Sequence, residues 1–352
     1  MIQTLNILRG QLCLLLCLGL FAACSSDDDV QEQPKKTYPL TIEVEENPLI
    51  PEGVRSVGTR AAITYTSDLT EFYMSYVYGE TPSTGSITAT KDGEGKWENS
   101  TGKDKGWPDA TATINWYAYT CKESTPGTFY ANSGNPYIDF KVEEAAANQH
   151  DLLVATALNK TWSNCSGHLL FTFDHACSAL CFYVKKATNL NDYTLSVSRI
   201  VLKNVVKHGQ YFYDIGNGTG GWTPITGDSE NDITDYTLYS GSGITLGSAT
   251  TDYVALNGNF GTAENPYLFV IPQTLTAWDH ATAITSTTQS YLEIVCTITN
   301  TSTSNVVYSG TAYIPFAATF LQGVQHDVNI NIGKNTLYKY NESTHTYINI
   351  IN

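Results

Sequence analysis

The sequence predicts an all-β protein built as two tandem β-sandwich domains. Three observations lead there. Tyr, Thr, Val and Ile are abundant and Gly, Asn and Asp sit between them, which suits pleated, half-buried strands joined by turns. Apolar runs of roughly four to nine residues recur between turn signals, with no strand–helix–strand alternation that would build a parallel nucleotide-binding sheet. The chain has 352 residues, enough for two ordinary domains.

Residues 1–23 are expected to be an export signal rather than structure. Arg9 gives the positive flank, and Leu12 to Phe21 is an apolar run too short to span a bilayer. Phe21-Ala22-Ala23-Cys24 places small residues before a Cys at the end of that run. It resembles a bacterial lipobox, which implies cleavage between Ala23 and Cys24 and an acyl lipid on Cys24. Ser25-Ser26-Asp27-Asp28-Asp29 follows. A Cys trailed by acidic residues resembles the signal that carries Bacteroidetes lipoproteins to the outer face of the outer membrane. Residues 24–37 are the polar, acidic tether.

The first sandwich is expected over 38–188. Leu40, Ile42 and Val44 alternate with Thr41, Glu43 and Glu45, a period-two strand with one apolar face. Pro48, Pro51 and Gly53 then break the chain, and a loop containing Arg55 ends at Arg60. Strands follow at 61–65, 71–78, 86–91, 114–119, 151–155, 169–173 and 179–184. EEAAANQH at 143–150 is the one locally helical stretch. The second sandwich is expected over 189–333, with strands at 195–202, 210–215, 236–238, 253–256, 267–271, 291–299, 306–314 and 328–332. Residues 216–234 read as a long Gly-, Asn- and Asp-rich loop. Beyond Gly333, residues 334–352 are not a charged tail. Strands at 336–340 and 345–351, joined by Asn341-Glu342-Ser343-Thr344, form an extra hairpin with no obvious sheet of its own. In its second strand Ile348 and Ile350 share one face, with Tyr347, Asn349 and Ile351 on the other.

The net charge of −15 repels phosphate backbones and argues against nucleic-acid binding. Outside the signal and the lipidated Cys24, five cysteines remain: Cys121, Cys165, Cys177, Cys181 and Cys296. An odd number argues against a full disulfide framework. Cys177 and Cys181 lie about 13 Å apart on a strand, beyond disulfide reach, and read as core hydrophobes.

The search for chemistry returns little. Asp174-His175 beside Cys177 suggests a Cys–His nucleophile, but strand neighbours point to opposite faces, so a hydrogen-bonded structural histidine is the better reading. His326-Asp327 has the same reading. Asp228, Glu230, Asp232 and Asp235 in DSENDITD alternate as calcium ligands do, yet the glycine and distal Glu of an EF-hand are missing, and a solvated turn is favoured. Trp107 and Trp222, expected to be exposed, are candidates for stacking on sugars or for capping a sandwich edge. No nucleophile elbow, His-Glu-x-x-His or phosphate loop occurs. No catalytic residue, metal or cofactor is expected.

In their order along the chain, several segments resemble the fimbrillin family, the subunits of Bacteroidetes surface pili. They are Thr59-Arg60 before Ala61-Ala62-Ile63-Thr64, Trp116-Tyr117-Ala118-Tyr119, Asp151-Leu152-Leu153-Val154-Ala155, Leu170-Phe171-Thr172-Phe173-Asp174-His175-Ala176, Leu268-Phe269-Val270-Ile271-Pro272-Gln273, and Gly323 to Gly333 with His326-Asp327. The resemblance implies transthyretin-like (Greek-key) sandwiches and a lipidated precursor at the cell outer membrane. It also implies a trypsin-like or Arg-specific protease that cuts between Arg60 and Ala61. That cut would remove the lipid anchor and a plug strand over 38–46 (Leu40, Ile42, Val44), with Arg55 as the second cleavage candidate. The emptied groove would receive a donor strand, here Tyr347, Ile348, Ile350 and Ile351, from another fimbrial subunit. A stalk subunit needs both groove and donor, a tip subunit only the groove, and the extra C-terminal strands point to a stalk. The alternatives are a tip subunit and a surface carbohydrate-binding lipoprotein that never polymerises.

Overall fold

The computed structural model describes residues 40–48, 50–51, 69–79, 81–82, 86–99, 107–121, 127–130, 135–213, 220–227, 232–247, 252–256, 267–281, 283–284 and 287–351. They belong to the unit Tyr38–Asn352. In chain order the strands are β1 (Thr41–Glu46), β2 (Ile50–Pro51), β3 (Glu71–Tyr78), β4 (Thr81–Pro82), β5 (Ile87–Lys91), β6 (Trp97–Asn99), β7 (Ile114–Tyr119), β8 (Gly127–Tyr130), β9 (Tyr137–Lys141), β10 (Leu153–Lys160), β11 (His168–His175) and β12 (Ser178–Lys186). They continue as β13 (Tyr193–Val206), β14 (His208–Phe212), β15 (Gly221–Pro224), β16 (Ile233–Leu246), β17 (Val254–Ala255), β18 (Leu268–Val270), β19 (Gln273–Leu275), β20 (Tyr291–Asn300), β21 (Val306–Pro315), β22 (Ala318–Phe320), β23 (Val324–Ile332), β24 (Tyr338–Asn341) and β25 (Thr346–Asn349). The protein is all-β, as its composition requires. Helix among the described residues is limited to single turns. The expected helix at 143–150 is one such turn, Ala146–Asn148.

The N-terminal strands close on themselves. β3 pairs with β5 and β7, β5 with β6, β6 with β1, β1 with β11, β11 with β10, and β10 with β7. Among the described residues these pairings form a ring of seven strands. Alternate residues point inward: Ile42 from β1, Phe72 and Met74 from β3, Trp97 from β6, Trp116 from β7, and Leu169, Phe171 and Phe173 from β11. Phe72 sits 4.9 Å from Trp97 and 5.2 Å from Phe173, edge to face, an arrangement that favours aromatic pairs.

The apolar run Leu152–Ala155 lacks alternation because it is buried on both sides. Leu153 and Ala155 face the ring interior, whereas Leu152 and Val154 join a second core. That second core takes Tyr117 and Tyr119 from the outer face of β7, Ile138 and Phe140 from β9, Tyr211 from β14, and Ala179 and Cys181 from β12. A third core lies between the sheet β16-β13-β20-β21-β24-β25 and the sheet built on β12 and β23. β12 serves both, with Leu180, Phe182 and Val184 on the third core and Ala179 and Cys181 on the second. Cys121, Cys165, Cys177, Cys181 and Cys296 are all free thiols, and all but Cys165 are buried.

The strand pairings cross residue 188. β9 pairs antiparallel with β14, and β12 runs parallel to β23 from Ala179 opposite Gln325 to Lys186 opposite Ile332. Part of the expected 216–234 loop is also ordered otherwise. β15 lies there, with Trp222 opposite Tyr211 of β14. Its four residues carry no alternation of their own; the neighbouring strand and the second core fix them.

Candidate functional site

β1 is the expected Leu40–Val44 strand, and it is a member of the ring. Its two edges are held unequally. Along β11 it pairs over its whole length, from Thr41 opposite His168 to Glu46 opposite Phe173. Backbone hydrogen bonds close both ends, Thr41 N–H to the Gly167 carbonyl at 2.9 Å and Asn47 N–H to the Phe173 carbonyl at 2.8 Å. Against β6 the ladder is a single position, Ile42 opposite Trp97.

The inward face of β1 reads Leu40, Ile42, Val44, Glu46. Ile42 is 4% exposed, and Leu40 and Val44 pack on the ring core around it. Burying Ile42 alone is worth about 2–3 kcal/mol. The outward residues Glu43 and Glu45 are exposed, and Glu43 meets the exposed His168 at 3.5 Å. Asn47 Nδ2 donates to Asp174 Oδ1 at 2.7 Å.

Glu46 breaks the apolar stripe. Its side chain is 2% exposed and its Oε1 lies 3.0 Å from Nε2 of His175, itself 1% exposed. Nδ1 of the same ring pairs with Asp151, whose other oxygen accepts the Cys177 N–H at 3.3 Å. The imidazole is therefore clasped between two buried carboxylates. Burial pulls its pKa down, but Asp151 and then Glu46 outweigh that, and the net shift is upward from 6.5.

The geometry disposes of the Cys–His pair. The side chain of His175 is committed to Asp151 and Glu46, and Asp174 points outward to Asn47. Burial, helped by Asp151, pushes the Cys177 thiol well above its ordinary 9.0, which removes the thiolate. His326 accepts the Leu321 N–H at 2.9 Å on Nε2 and is a satisfied buried histidine. Of DSENDITD, residues 228–231 lie outside the described residues. Asp232 pairs with His208 Nδ1 at 2.6 Å and Asp235 with Lys203. Among the described residues no three His, Cys, Asp or Glu side chains group as metal ligands do. The two tryptophans expected to be exposed are not free platforms. Trp107 is 3% exposed and packs on Trp116, because it fills the ring interior. Trp222 is half-buried, and its Nε1–H donates to the Ala176 carbonyl at 2.6 Å.

Between β10 and β11 the ladder runs only over Leu153–His175 and Val154–Asp174. Where the strands diverge, a pocket of about 150 Å³ opens, lined by Val154, Ala155 and Thr156 on one side and Thr172 and Asp174 on the other, with Asn47 at the end of β1.

The C-terminal hairpin is docked. β24 joins β21 at one position, Tyr338 opposite Tyr313, and β25 pairs with β24 as the edge strand. Tyr347 packs on Trp278 at 4.6 Å, Ile351 is 7% exposed in the third core, and Ile350 packs beside it. Ile348 is 38% exposed. The expected hairpin without a sheet thus has one, and Ile350 and Ile351 both reach the same core because β25 ends at Asn349 and the chain turns inward after it.

Ala23, Cys24, Arg55, Arg60 and Ala61, together with the signal and the tether, lie outside the described residues. So does the expected strand at 61–65. Among the described residues no helix is long and apolar enough to cross a membrane.

Comparison with solved structures finds the same fold in a fimbrial protein from Bacteroides vulgatus, with a TM-score of 0.54 and 18% identity over 85% of this chain and 96% of that one. Weaker likenesses include a proposed cell adhesion protein from Bacteroides ovatus, with a TM-score of 0.44 and 14% identity over 88% of this chain and 96% of that one. No curated protein matches the sequence. The profile of fimbrillin-like proteins matches residues 60–346, most of the chain. The protein therefore belongs to the fimbrillin-like family and has that family's role of a fimbrial structural protein at the cell surface.

Proposed function

We propose that the chain is a stalk subunit of an adhesive fimbria, assembled by exchange of β1 for a strand of the next subunit. In this reading the precursor is a lipoprotein anchored through Cys24 in the outer membrane. An Arg-specific surface protease cuts between Arg60 and Ala61, which detaches the anchor and severs β1 from the sheet in one step. The observation that carries the reading is the position of β1. It completes the ring, yet it ladders with β6 at one position only, and β2 is the one strand described between it and residue 68. The family match also starts at Arg60, after β1.

Loss of β1 would bare one edge each of β11 and β6 and an apolar trough lined by Phe72, Trp97 and Phe171. An exposed edge of that kind is a template for another strand. Until the chain is cut, β1 occupies the trough and self-assembly is blocked. The contact so formed is head-to-tail and open, which gives fibres rather than closed rings. Adhesion would reside in surface loops.

The docked hairpin favours a second reading, the tip subunit, which accepts a strand and donates none. Donation by Tyr347, Ile348, Ile350 and Ile351 requires undocking from Trp278 and from the third core. The burial of Trp107 and the packing of Trp222 leave the carbohydrate-binding alternative without its stacking platforms.

The test is limited trypsin digestion of the purified full chain. A new N-terminus at Ala61 with a ladder of polymers on gels supports the stalk. A clipped product that stays monomeric alone but joins a ladder when mixed with a polymerising subunit supports the tip. A clipped product that does neither overturns both.

A further inference from the structure

We propose that the outer face of the sheet β15-β14-β9-β8 carries a carbohydrate seat, in which a neutral pyranose stacks on the free face of the Phe212 ring above Gly221. The inference rests on the adhesive role of the fimbria and is independent of strand exchange. It adds a ligand class, and a contact on a sheet face besides those in the loops.

The four strands alternate cleanly. Phe129, Ile138, Phe140, Tyr211 and Trp222 turn inward to the second core. The residues between them face outward, and three of these are aromatic. Tyr130 stands opposite Tyr137, and Tyr137 opposite Phe212, so one register position crosses three strands with a ring on each. The Tyr130 and Tyr137 rings are stacked, with centroids 4.8 Å apart and planes at 16°. Tyr137 and Phe212 follow at 5.1 Å and 37°. Rings lying flat side by side cannot come that close. These rings stand on the sheet and overlap face to face, one per strand, at the spacing of the strands themselves, about 4.7–4.9 Å.

The fourth place in the row is Gly221, opposite Phe212 on β15. Gly221 is exposed, and a methyl group there would meet no atom of the described residues within 4 Å. Among the described residues the stack therefore stops one ring short. It leaves a slot one ring thick, with the Phe212 face as its wall and glycine backbone as its floor. The face of an aromatic ring is electron-rich, and the C–H face of a pyranose is its apolar, electropositive counterpart. Gln210 and Thr223 sit opposite each other one step along the same outer face. Gln210 Nε2 lies 3.5 Å from Asp139 Oδ2, and the other oxygen of that carboxylate pairs with His208 Nε2 at 2.8 Å. The Gln210 amide and the Thr223 hydroxyl both donate and accept, as sugar hydroxyls require. Trp222 lies between Gly221 and Thr223 but faces the other side of the sheet and takes no part.

Size and charge select the occupant. The strands are four to five residues long. Four of them side by side present a face of about 300 Å², far below the roughly 800 Å² that each partner of a standard protein interface contributes. The net charge of −15 sets a second copy of the chain against the first and, with Asp139 beside the row, disfavours anionic sugars. A neutral sugar meets neither obstacle.

The test uses the full, uncut chain and the methyl glycosides of glucose, galactose, mannose and N-acetylglucosamine, with affinity read from saturation-transfer NMR titrations. At least one glycoside should bind. Gly221→Val fills the slot, and its backbone is outside the left-handed region, so the fold is kept. This variant should lose the binding with an unchanged or higher melting temperature. Phe212→Ala should weaken binding about three- to ten-fold, the worth of one aromatic contact, whereas Phe212→Tyr should retain it. Tyr130→Ala, at the far end of the row, should bind as the wild type does. A wild-type chain that takes up none of the four glycosides overturns the inference, and so does Gly221→Val binding as well as the wild type. Neither result touches the fimbrial reading, which the ladder after trypsin tests separately. A chain that binds a glycoside but never forms that ladder keeps the seat and loses strand exchange.

Discussion

Glu46 and His175 tie β1 to the ring through a buried polar contact. The folded pKa of His175 lies above 6.5, so below about pH 6.5 the imidazole is protonated in both the folded and the unfolded chain and the clasp contributes in full. As pH rises through the raised folded value, the imidazole loses its proton, and the contribution goes with it. Glu46→Gln removes one of the two carboxylates. The stability difference between wild type and this variant, read from denaturant titrations, should therefore be largest near pH 6 and shrink toward pH 9. A difference that grows with pH would mean that His175 is neutral in the fold. This residue also marks the limit of what the sequence discloses. Asp174-His175 stands out as a pair, but strand alternation turns Asp174 outward to Asn47. The partners of His175 are Asp151 and Glu46, which only the ring closure brings together. Nothing in local spacing points to them. Glu46 itself is visible as the last residue of an alternating strand, with no sign that it faces inward to a charge.

At the scale of strands, the sequence is most readable where burial is one-sided. β20 and β21 follow their alternation to within a residue or so, because each has a core face and an outer face. β15 and the short β6, β8 and β19 escape it, since three or four residues ordered by a neighbour carry no period. The C-terminal hairpin is the element with most functional weight. Its strands are legible; its docking is not, because Trp278, which holds Tyr347, lies in a segment without strand periodicity. Trp278 is 3% exposed and touches Tyr291, Tyr313, Tyr338 and Tyr347. Trp278→Ala removes that anchor at a cost of about 3–5 kcal/mol. Hydrogen exchange should quicken in Tyr338–Asn349 far more than in β13. If the hairpin is the donor, the same variant should polymerise faster after cleavage. Unchanged exchange in the hairpin would show that Leu337 and Ile351, not Trp278, keep it docked.

For the whole molecule the question is where the C-terminal core begins. Composition and length suggest two sandwiches divided at 188/189, the point where the apolar pattern relaxes. β12 precedes that point, yet its ladder partners β17, β18 and β23 all follow it, and Leu180, Phe182 and Val184 fill the C-terminal core. A sequence pattern marks where a strand ends, not which sheet it joins, and a parallel partner about 145 residues downstream leaves no local trace. A fragment starting at Asn189 would expose the edge of β23 and leave a trough where three large side chains had been. Each buried side chain of that size is worth about 1.5–3 kcal/mol, a large share of the roughly 5–15 kcal/mol that ordinarily holds a domain together. Residues 178–351 should therefore unfold cooperatively on heating, with near-ultraviolet circular dichroism from the buried Tyr236 and Trp278, while residues 189–351 should show weak or no cooperative melting. Equal melting of the two would mean that β12 is an accessory of the C-terminal core.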